Sequence, residues 1–251
     1  MRKKLIFLFI LFFSMMLHSQ EIVISGWQQS TINYTLEQNI QVPSGINRLS
    51  VSIVEPQDFS SLTYQQTVTG NSIDFTPEPQ RDEKDTDRFG NITHRFYWDS
   101  PAENIQFTAV FNVKTAFKLT ELESQAPYPV NNLDAETRIF LEPTDQIQSD
   151  HPQIQQKARE INRDFSREIE VVRATLHFVV DHMRYTLVPE KYDALYALQT
   201  GRGNCQNYSH LSAALLRASG IPVRIVNGVT FKRNYTVPVD QSEFRDRKSV
   251  V

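Results

Sequence analysis

Hydrophobic and polar residues alternate along the first part of the chain, up to about residue 117. Leu49, Val51 and Ile53 share one parity. A longer alternating run consists of Ile105, Phe107, Ala109, Phe111, Val113 and Phe117. Alternation with period two places the apolar side chains on one face of a strand. Several such strands predict antiparallel sheets packed as a β-sandwich over residues 21–118.

Turn-forming residues and one charged run interrupt these strands. The predicted turns are Pro43-Ser44-Gly45, Gly70-Asn71 and Gly90-Asn91. The run PEPQRDEKDTDR at 77–88 is charged and contains proline. We interpret it as a solvated hairpin loop and not as an acidic binding site.

After residue 148 the hydrophobic spacing lengthens to the period of helices. A first helix is predicted behind Asp150, its capping residue, and a second helix follows it. Their apolar stripes are Ile154, Ala158, Ile161 and Phe165 for the first, and Ile169, Val172, Leu176, Val179 and Met183 for the second. A shorter helix is predicted over 193–199.

A fourth helix is predicted to open at Cys205, directly after the turn Gly201-Arg202-Gly203-Asn204. Its apolar face is formed by Tyr208, Leu211, Leu215 and Ala218. Gly220 is placed to end this helix, Pro222 prevents its continuation, and a strand is predicted over 223–229. Strands followed by helices indicate an α+β fold. We expect a linker at 119–148 and a second domain at 149–251.

The first residues have the features of an export signal. Arg2, Lys3 and Lys4 precede an uncharged, almost entirely apolar run at 5–17. This run is shorter than the roughly 20 residues that span a bilayer, but it fits the hydrophobic part of a signal peptide. We therefore predict a signal peptide at 1–20, a secreted or periplasmic protein, and no stable membrane insertion after cleavage. An uncleaved membrane anchor is the alternative.

Composition narrows the classes of function. Hydrophobic residues make up 40% of the chain and charged residues 22%, as in ordinary globular proteins. The formal net charge of −3 argues against an electrostatic nucleic-acid binder. A single cysteine excludes an intramolecular disulfide and a cysteine-rich zinc site. We expect no cofactor and no metal, and the sequence does not predict an oligomeric state.

The lone cysteine has a distinctive local setting. A thiol becomes a good nucleophile as its thiolate, and the N–H groups at a helix N-terminus favour that anion. The backbone N–H of Cys205 could also face a developing oxyanion. However, free cysteines are often buried as small hydrophobic residues. Local physics alone leaves both interpretations of Cys205 open.

A longer motif surrounds this cysteine. It runs through Gly203-Asn204-Cys205-Gln206-Asn207-Tyr208-Ser209-His210-Leu211, then Leu215-Leu216-Arg217-Ala218, and then Gly220-Ile221-Pro222-Val223-Arg224. The segment resembles the cysteine segment of the transglutaminase-like superfamily. The element Asp87-Arg88-Phe89-Gly90-Asn91 is similar to the N-terminal domain of bacterial members.

The resemblance implies a papain-like α+β core with a Cys-His-Asp triad, in which Cys205 is the nucleophile. It implies acyl transfer or amide hydrolysis on a protein or peptide substrate. Tyr185 lies where the family tends to carry an aromatic residue, so it could line the oxyanion side of the site. Gln199 has the spacing of the papain-type glutamine, but it also fits an ordinary polar residue at a helix end.

The other triad members have no match in the chain. The family places a histidine and an aspartate well after the Gly-Ile-Pro segment, whereas no histidine follows Gly228 here. His210 is five residues after Cys205 on the same helix, too far round and along to approach the sulfur. We therefore assign no base and expect the triad histidine and aspartate beyond residue 251. The domain is then incomplete, and we expect this chain to be inactive and its 223–229 strand to lack partners.

Two functions remain open at this stage. The first is an exported transglutaminase-like enzyme that acts through Cys205. The alternative is a catalytically inactive binding or scaffold module on the same fold.

Overall fold

The computed structural model describes residues 26–101, 104–118 and 123–228. The predicted signal peptide lies outside these ranges. The chain divides into two compact units, Met1–Glu121 and Leu122–Val251. Within the described ranges, no helix combines the length and the apolarity needed to cross a membrane.

The described residues of the first unit form seven strands in two antiparallel sheets. The strands are β1 (Trp27–Ile40), β2 (Arg48–Val54), β3 (Phe59–Ser60), β4 (Tyr64–Thr76), β5 (Arg81–Thr86), β6 (Ile92–Asp99) and β7 (Ile105–Lys118). One sheet has the order β1-β7-β4-β3 and the other the order β2-β6-β5. Both sheets contribute to one hydrophobic core, as expected for a sandwich.

Aromatic rings fill this core. Phe75 of one sheet lies with its ring centroid 4.5 Å from that of Phe96 and 5.0 Å from that of Trp98, both in the other sheet. The alternation predicted for β7 is confirmed, because Ile105 and the four residues that follow at every second position are buried. Phe117, at the end of that run, is exposed.

Two sequence predictions in this unit are wrong. The charged run at 77–88 is not simply a loop, since β5 pairs with β6 over Arg81–Thr86. Every residue of this edge strand is exposed, so no apolar alternation marks it in the sequence. Gly70-Asn71 is not a turn but lies inside β4, where the register with β7 shifts as in a β-bulge.

The predicted turn at Gly90-Asn91 is confirmed, and Asp87 organises it. The Asp87 carboxylate accepts hydrogen bonds from the backbone N–H groups of Phe89 (2.8 Å) and Asn91 (2.9 Å) and from the Asn91 side-chain amide (2.8 Å). This is an Asx turn, and it explains why Asp87 and Asn91 stand at this spacing.

The second unit is mainly helical. Its helices are α1 (Ala135–Arg138), which continues into a 3₁₀ turn (Ile139–Leu141), α2 (Pro152–Asn162), α3 (Glu168–His182), α4 (Ala194–Thr200) and α5 (Cys205–Ala218). Two short parallel strands, β8 (Arg184–Tyr185) and β9 (Arg202–Gly203), complete it. Helix α5 packs against α2, α3 and α4, and Leu211, Ala214 and Leu215 have no exposed surface. The unit is therefore built around the helix that begins at the cysteine.

Some helix details differ from the predictions. The N-cap of α2 is His151 and not Asp150, because the His151 ring accepts the hydrogen bond from the Gln153 N–H. Helix α3 buries Val171, Thr175 and Val179, so only its C-terminal part follows the predicted stripe: Val179 and Met183 of that stripe are buried, whereas Leu176 is 44% exposed. Two adjacent stripes both satisfy a period of 3.6, and packing selects the one that contains a threonine.

The end of α5 is confirmed, but the strand after it is not. The Gly220 N–H donates to the Arg217 carbonyl and the Ile221 N–H to the Leu216 carbonyl, which is a Schellman motif with Gly220 at C′. Residues 221–228 contain no strand in the described part of the chain. Instead, the Val223 N–H donates to the carbonyl of Phe140.

The segment expected to be a linker packs within the second unit. The Tyr128 hydroxyl donates to the Ser219 carbonyl (3.0 Å), and the buried Arg217 guanidinium donates to the carbonyls of Glu142 (2.6 Å) and Val223 (2.7 Å). Ile147 belongs to the same core as α2 and α5. Residues 123–148 therefore help to hold the C-terminal end of the cysteine helix.

Candidate functional site

The turn before Cys205 depends on Gly201. Helix α4 ends at Gly201 in the left-handed conformation, with φ 61°. A Cβ atom at this position would lie 2.9 Å from the carbonyl oxygen of His182. Glycine therefore satisfies both the backbone conformation and the close approach to the end of α3.

A two-stranded parallel pair then directs the chain toward the cysteine. The Arg184 N–H donates to the Gly201 carbonyl (2.7 Å), and the Thr186 N–H donates to the Gly203 carbonyl (2.8 Å). In this register Arg184 lies opposite Arg202 and Tyr185 lies opposite Gly203. The residues on both sides of the turn are thus held in a fixed arrangement.

Asn204 caps the helix that starts at Cys205. Its side chain accepts a hydrogen bond from the Gln206 N–H (3.0 Å), and the Asn207 side chain accepts one from the Asn204 N–H (3.1 Å). The two asparagines form a reciprocal capping box. Cys205 is consequently fixed as the first residue of α5.

Asn207 is a site residue that the sequence predictions missed. Its side chain is fully buried, and its amide donates to the carbonyls of Lys191 (3.0 Å) and Asp193 (3.4 Å). Asn207 therefore ties the start of α5 to the loop before α4. The available signal was an amide side chain three residues after an Asn cap, since capping boxes carry such a residue at that position.

Gly203 is required by its contact with Asn207. A Cβ atom on Gly203 would lie 2.3 Å from Cβ and 2.6 Å from Oδ1 of Asn207. Both residues are buried, so neither has open space into which to move. The glycine at position 203 and the asparagine at position 207 fit each other.

The Cys205 thiol is unpaired by any disulfide and partly buried. The Asn204 side chain accepts hydrogen bonds from N–H groups in the first turn of the helix. The Cys205 N–H, by contrast, has no hydrogen-bond partner among the described residues. This N–H points out of the helix N-terminus together with the positive end of the helix dipole. The arrangement can stabilise negative charge on the sulfur and on an oxygen bound next to it.

The structure places the two further candidate residues, Tyr185 and Gln199, in different surroundings. Tyr185 pairs with Gly203 in the β8–β9 pair, and Gly203 precedes Cys205 by two residues. Tyr185 is 63% exposed. Its role on the oxyanion side stays a prediction. The Gln199 amide donates to the side chain of Gln153 on α2 (2.9 Å).

Two histidines near the cysteine turn are hydrogen-bonded to backbone carbonyls. The Nδ1 atom of His210 lies 2.6 Å from the Tyr192 carbonyl oxygen, and Nε2 of His182 lies 2.8 Å from the Leu198 carbonyl oxygen. Burial lowers the pKa of His210, which outweighs the opposite effects of the Tyr192 hydrogen bond and the Asp193 charge. Among the described residues, no histidine is hydrogen-bonded to Cys205.

An open cleft of about 580 Å³ lies beside the turn. Its lining residues are His182, Arg184, Tyr185, Thr186, Gln199, Thr200, Gly201 and Arg202. The cleft therefore includes the predicted Tyr185 and follows the β8–β9 pair, and Cys205 is not among its lining residues. Within the described ranges, no group of three or more His, Cys, Asp or Glu side chains is arranged to hold a metal ion.

Both units of the chain match models of known protein families. Residues 155–247 match the transglutaminase-like superfamily core, and residues 50–114 match the bacterial transglutaminase-like N-terminal region. The chain belongs to the transglutaminase-like superfamily. The resemblance that the cysteine segment and the Asp87 element indicated is therefore confirmed, as is the α+β fold class.

A solved structure shares the fold of this chain. It is the crystal structure of a "putative cysteine protease" from Cytophaga hutchinsonii, with 21% identity and a TM-score of 0.58. The match covers 78% of this chain and 67% of that one, so the chain spans about two thirds of its length. A "putative protease" from Parabacteroides distasonis matches at 8% identity and a TM-score of 0.28, over 77% of this chain and 56% of that one. No curated protein matches the chain significantly.

Proposed function

We propose that this protein is a thiol-dependent enzyme that transfers or hydrolyses acyl groups of protein or peptide substrates through Cys205. The observation that carries the proposal is the position of Cys205 as the first residue of α5, where its own N–H has no hydrogen-bond partner among the described residues. Membership in the transglutaminase-like superfamily supports the same chemistry.

The proposed reaction has two steps. The Cys205 thiolate attacks the carbonyl carbon of a carboxamide or peptide bond. The C–N bond then breaks, the departing nitrogen takes up a proton, and a thioester remains on the sulfur. In the second step an amine nitrogen or a water oxygen attacks the thioester carbon, loses a proton and releases the thiolate.

The described residues supply the nucleophile and a charge-stabilising group for this reaction. The Cys205 N–H would donate to the oxyanion that forms when the carbonyl is attacked. We propose Tyr185, which pairs with Gly203 across the β8–β9 pair, as a second group on the oxyanion side. The proton transfers require a base, which we propose to be a histidine oriented by an aspartate, both outside the described residues.

The test compares turnover by the mature full-length protein with that of a Cys205→Ala variant. A glutamine-containing peptide with hydroxylamine as acceptor reports acyl transfer, and release of free acid or a shorter peptide reports hydrolysis. We expect Cys205→Ala to lower the rate at least about a thousandfold, since nucleophiles of catalytic triads have effects of that size. Ser212→Ala, two turns further along the same helix, is the control and should retain activity.

The outcomes separate the enzyme from its alternative. Turnover that persists in Cys205→Ala would show that another residue is the nucleophile. A folded full-length protein that converts none of these substrates and forms no thioester would instead support the inactive binding or scaffold module.

We also propose that the protein is exported. The support is the basic and then apolar character of residues 1–17. Expression in a bacterial host should yield protein in the periplasm or medium whose mass lacks about the first 20 residues. Recovery of the intact chain from the membrane fraction would favour the uncleaved anchor.

A further inference from the structure

Two arginines lie side by side in the cleft next to the cysteine turn. Arg184 on β8 and Arg202 on β9 are direct partners in the parallel register, and both line the cleft. Side chains of directly paired residues project from the same face of a sheet. The cleft therefore presents two guanidinium groups on one wall, and both residues are exposed.

Among the described residues, the lining of the cleft offers these two positive charges no acidic partner. None of the eight lining residues is Asp or Glu. Arg184 is oriented by hydrogen bonds to the carbonyls of Asp181 and Met183, both 3.1 Å. The Arg202 side chain makes no hydrogen bond or ion pair with any residue in the described ranges.

Such a pair is unfavourable unless an anion accompanies it. Like charges placed directly opposite each other destabilise a sheet. A guanidinium group has five donors and recognises carboxylates through two parallel hydrogen bonds. Arg202 keeps these donors available, and the fixed Arg184 adds charge beside it.

The arginine pair is also close to the nucleophile. Arg202 precedes Cys205 by three residues, and the intervening Gly203 and Asn204 are buried. At about 3.3 Å per residue, the two backbones are separated by at most ~10 Å. The Debye length at physiological ionic strength is about 8 Å, so the Arg202 charge acts on the Cys205 thiolate most strongly at low salt.

We propose that this cleft binds a carboxylate group of the substrate through Arg184 and Arg202 and so selects peptides with an acidic group near the reacting carboxamide. The carboxylate is either an Asp or Glu side chain or a free peptide C-terminus, since both present the same two oxygens. The proposal rests on the proposed function of Cys205 and names the substrate class of that site.

The first experiment needs no substrate, because it follows alkylation of the Cys205 thiol itself, read from the mass of the peptide that contains Cys205. Iodoacetate and iodoacetamide alkylate the thiol by the same displacement of iodide, but only iodoacetate carries a carboxylate. The quantity measured is the ratio of their second-order rate constants on the mature full-length protein. We expect Arg202→Gln to lower this ratio about twofold at low salt, the effect of one unit charge roughly 10 Å away in a water-like dielectric, and Arg184→Gln to lower it similarly.

Two variants serve as controls. Arg202→Lys retains the positive charge, so its ratio of iodoacetate to iodoacetamide rate constants should stay close to that of the unmodified protein. Arg163→Gln removes the same charge at an exposed position just after α2 and should leave the ratio unchanged. Equal ratios in Arg202→Gln and Arg163→Gln would overturn the proposal, because the effect would then reflect net charge and not the cleft.

The second experiment distinguishes the two sources of the carboxylate. Turnover is compared for matched glutamine peptides that carry a neighbouring Glu or Gln and end in a free or an amidated C-terminus. If the enzyme prefers the Glu peptides and Arg202→Gln abolishes this preference, the cleft binds an acidic side chain. If the enzyme prefers the free C-terminus instead, the cleft binds the end of the peptide. Equal turnover of all four peptides by the active enzyme would overturn the substrate assignment. The two proposals can also fail separately. If the alkylation ratio changes as expected but the protein converts no substrate, the proposed function is contradicted and the anion site is supported.

Discussion

His210 shows how a single residue couples the cysteine helix to pH. Its ring is partly buried, and burial lowers its pKa below the ordinary value. The folded state then binds a proton less readily than the unfolded state, in which the pKa is about 6.5. The resulting contribution to stability is fully present above about pH 6.5 and is lost as the pH falls toward the lowered pKa of the folded protein.

We therefore predict that the free energy of unfolding of the second unit decreases as the pH falls below about 6.5. His210→Asn should reduce this decrease, because its amide can still donate to the Tyr192 carbonyl but does not titrate. Urea denaturation at several pH values measures the effect, and His177→Asn on the exposed side of α3 is the control. An unchanged pH dependence in His210→Asn would show that other groups cause it.

At the scale of elements, the start of α5 depends on the contact between Gly203 and Asn207. We predict that Gly203→Ala lowers the free energy of unfolding by about 1–3 kcal/mol or more, the usual range for overpacking of a buried site. It should also change the rate of Cys205 alkylation, since Asn207 fixes the cap of that helix.

Gly70→Ala is the matched control for this prediction. Its added Cβ would lie 3.6 Å from the Asn112 side chain, which is an ordinary contact. It should therefore change stability by less than about 1 kcal/mol. If the two alanine variants were equally stable, the close approach at Gly203 would not be what fixes the turn.

The elements also show where sequence patterns were sufficient. The buried alternation of β7 and the glycine end of α5 depend on neighbours along the chain, and both were predicted correctly. The strand β5 was not, because its pairing with β6 leaves all its side chains in solvent. The buried face of α3 depends on which neighbouring helices cover it, and the sequence offers two overlapping stripes that share Val179.

The candidate site divides in the same way. Cys205, the glycine turn and the helix start follow from local chemistry, so the sequence pointed to them. The pairing of Arg184 with Arg202 joins residues 18 positions apart through two short strands, for which no hydrophobic period exists. The hydrogen bonds of Asn207 to Lys191 and Asp193 are likewise visible only after folding.

At the scale of the whole molecule, each unit has its own hydrophobic core and its own natural reporter. Both tryptophans, Trp27 and the buried Trp98, belong to the first unit, whereas the only cysteine belongs to the second. Tryptophan fluorescence in urea therefore follows one unit, and the reactivity of Cys205 in the same solutions follows the other. The two signals can be recorded on unmodified protein.

Because the cores are separate, a core substitution should act mainly on the reporter of its own unit. Ile105 and Leu211 have no exposed surface, and truncation of such residues to alanine costs about 2–5 kcal/mol. Ile105→Ala should lower the urea midpoint seen by fluorescence more than that seen by thiol reaction, and Leu211→Ala should do the reverse. Equal shifts of both signals in both variants would mean that the units unfold as one, since a change in either core would then be felt throughout the chain.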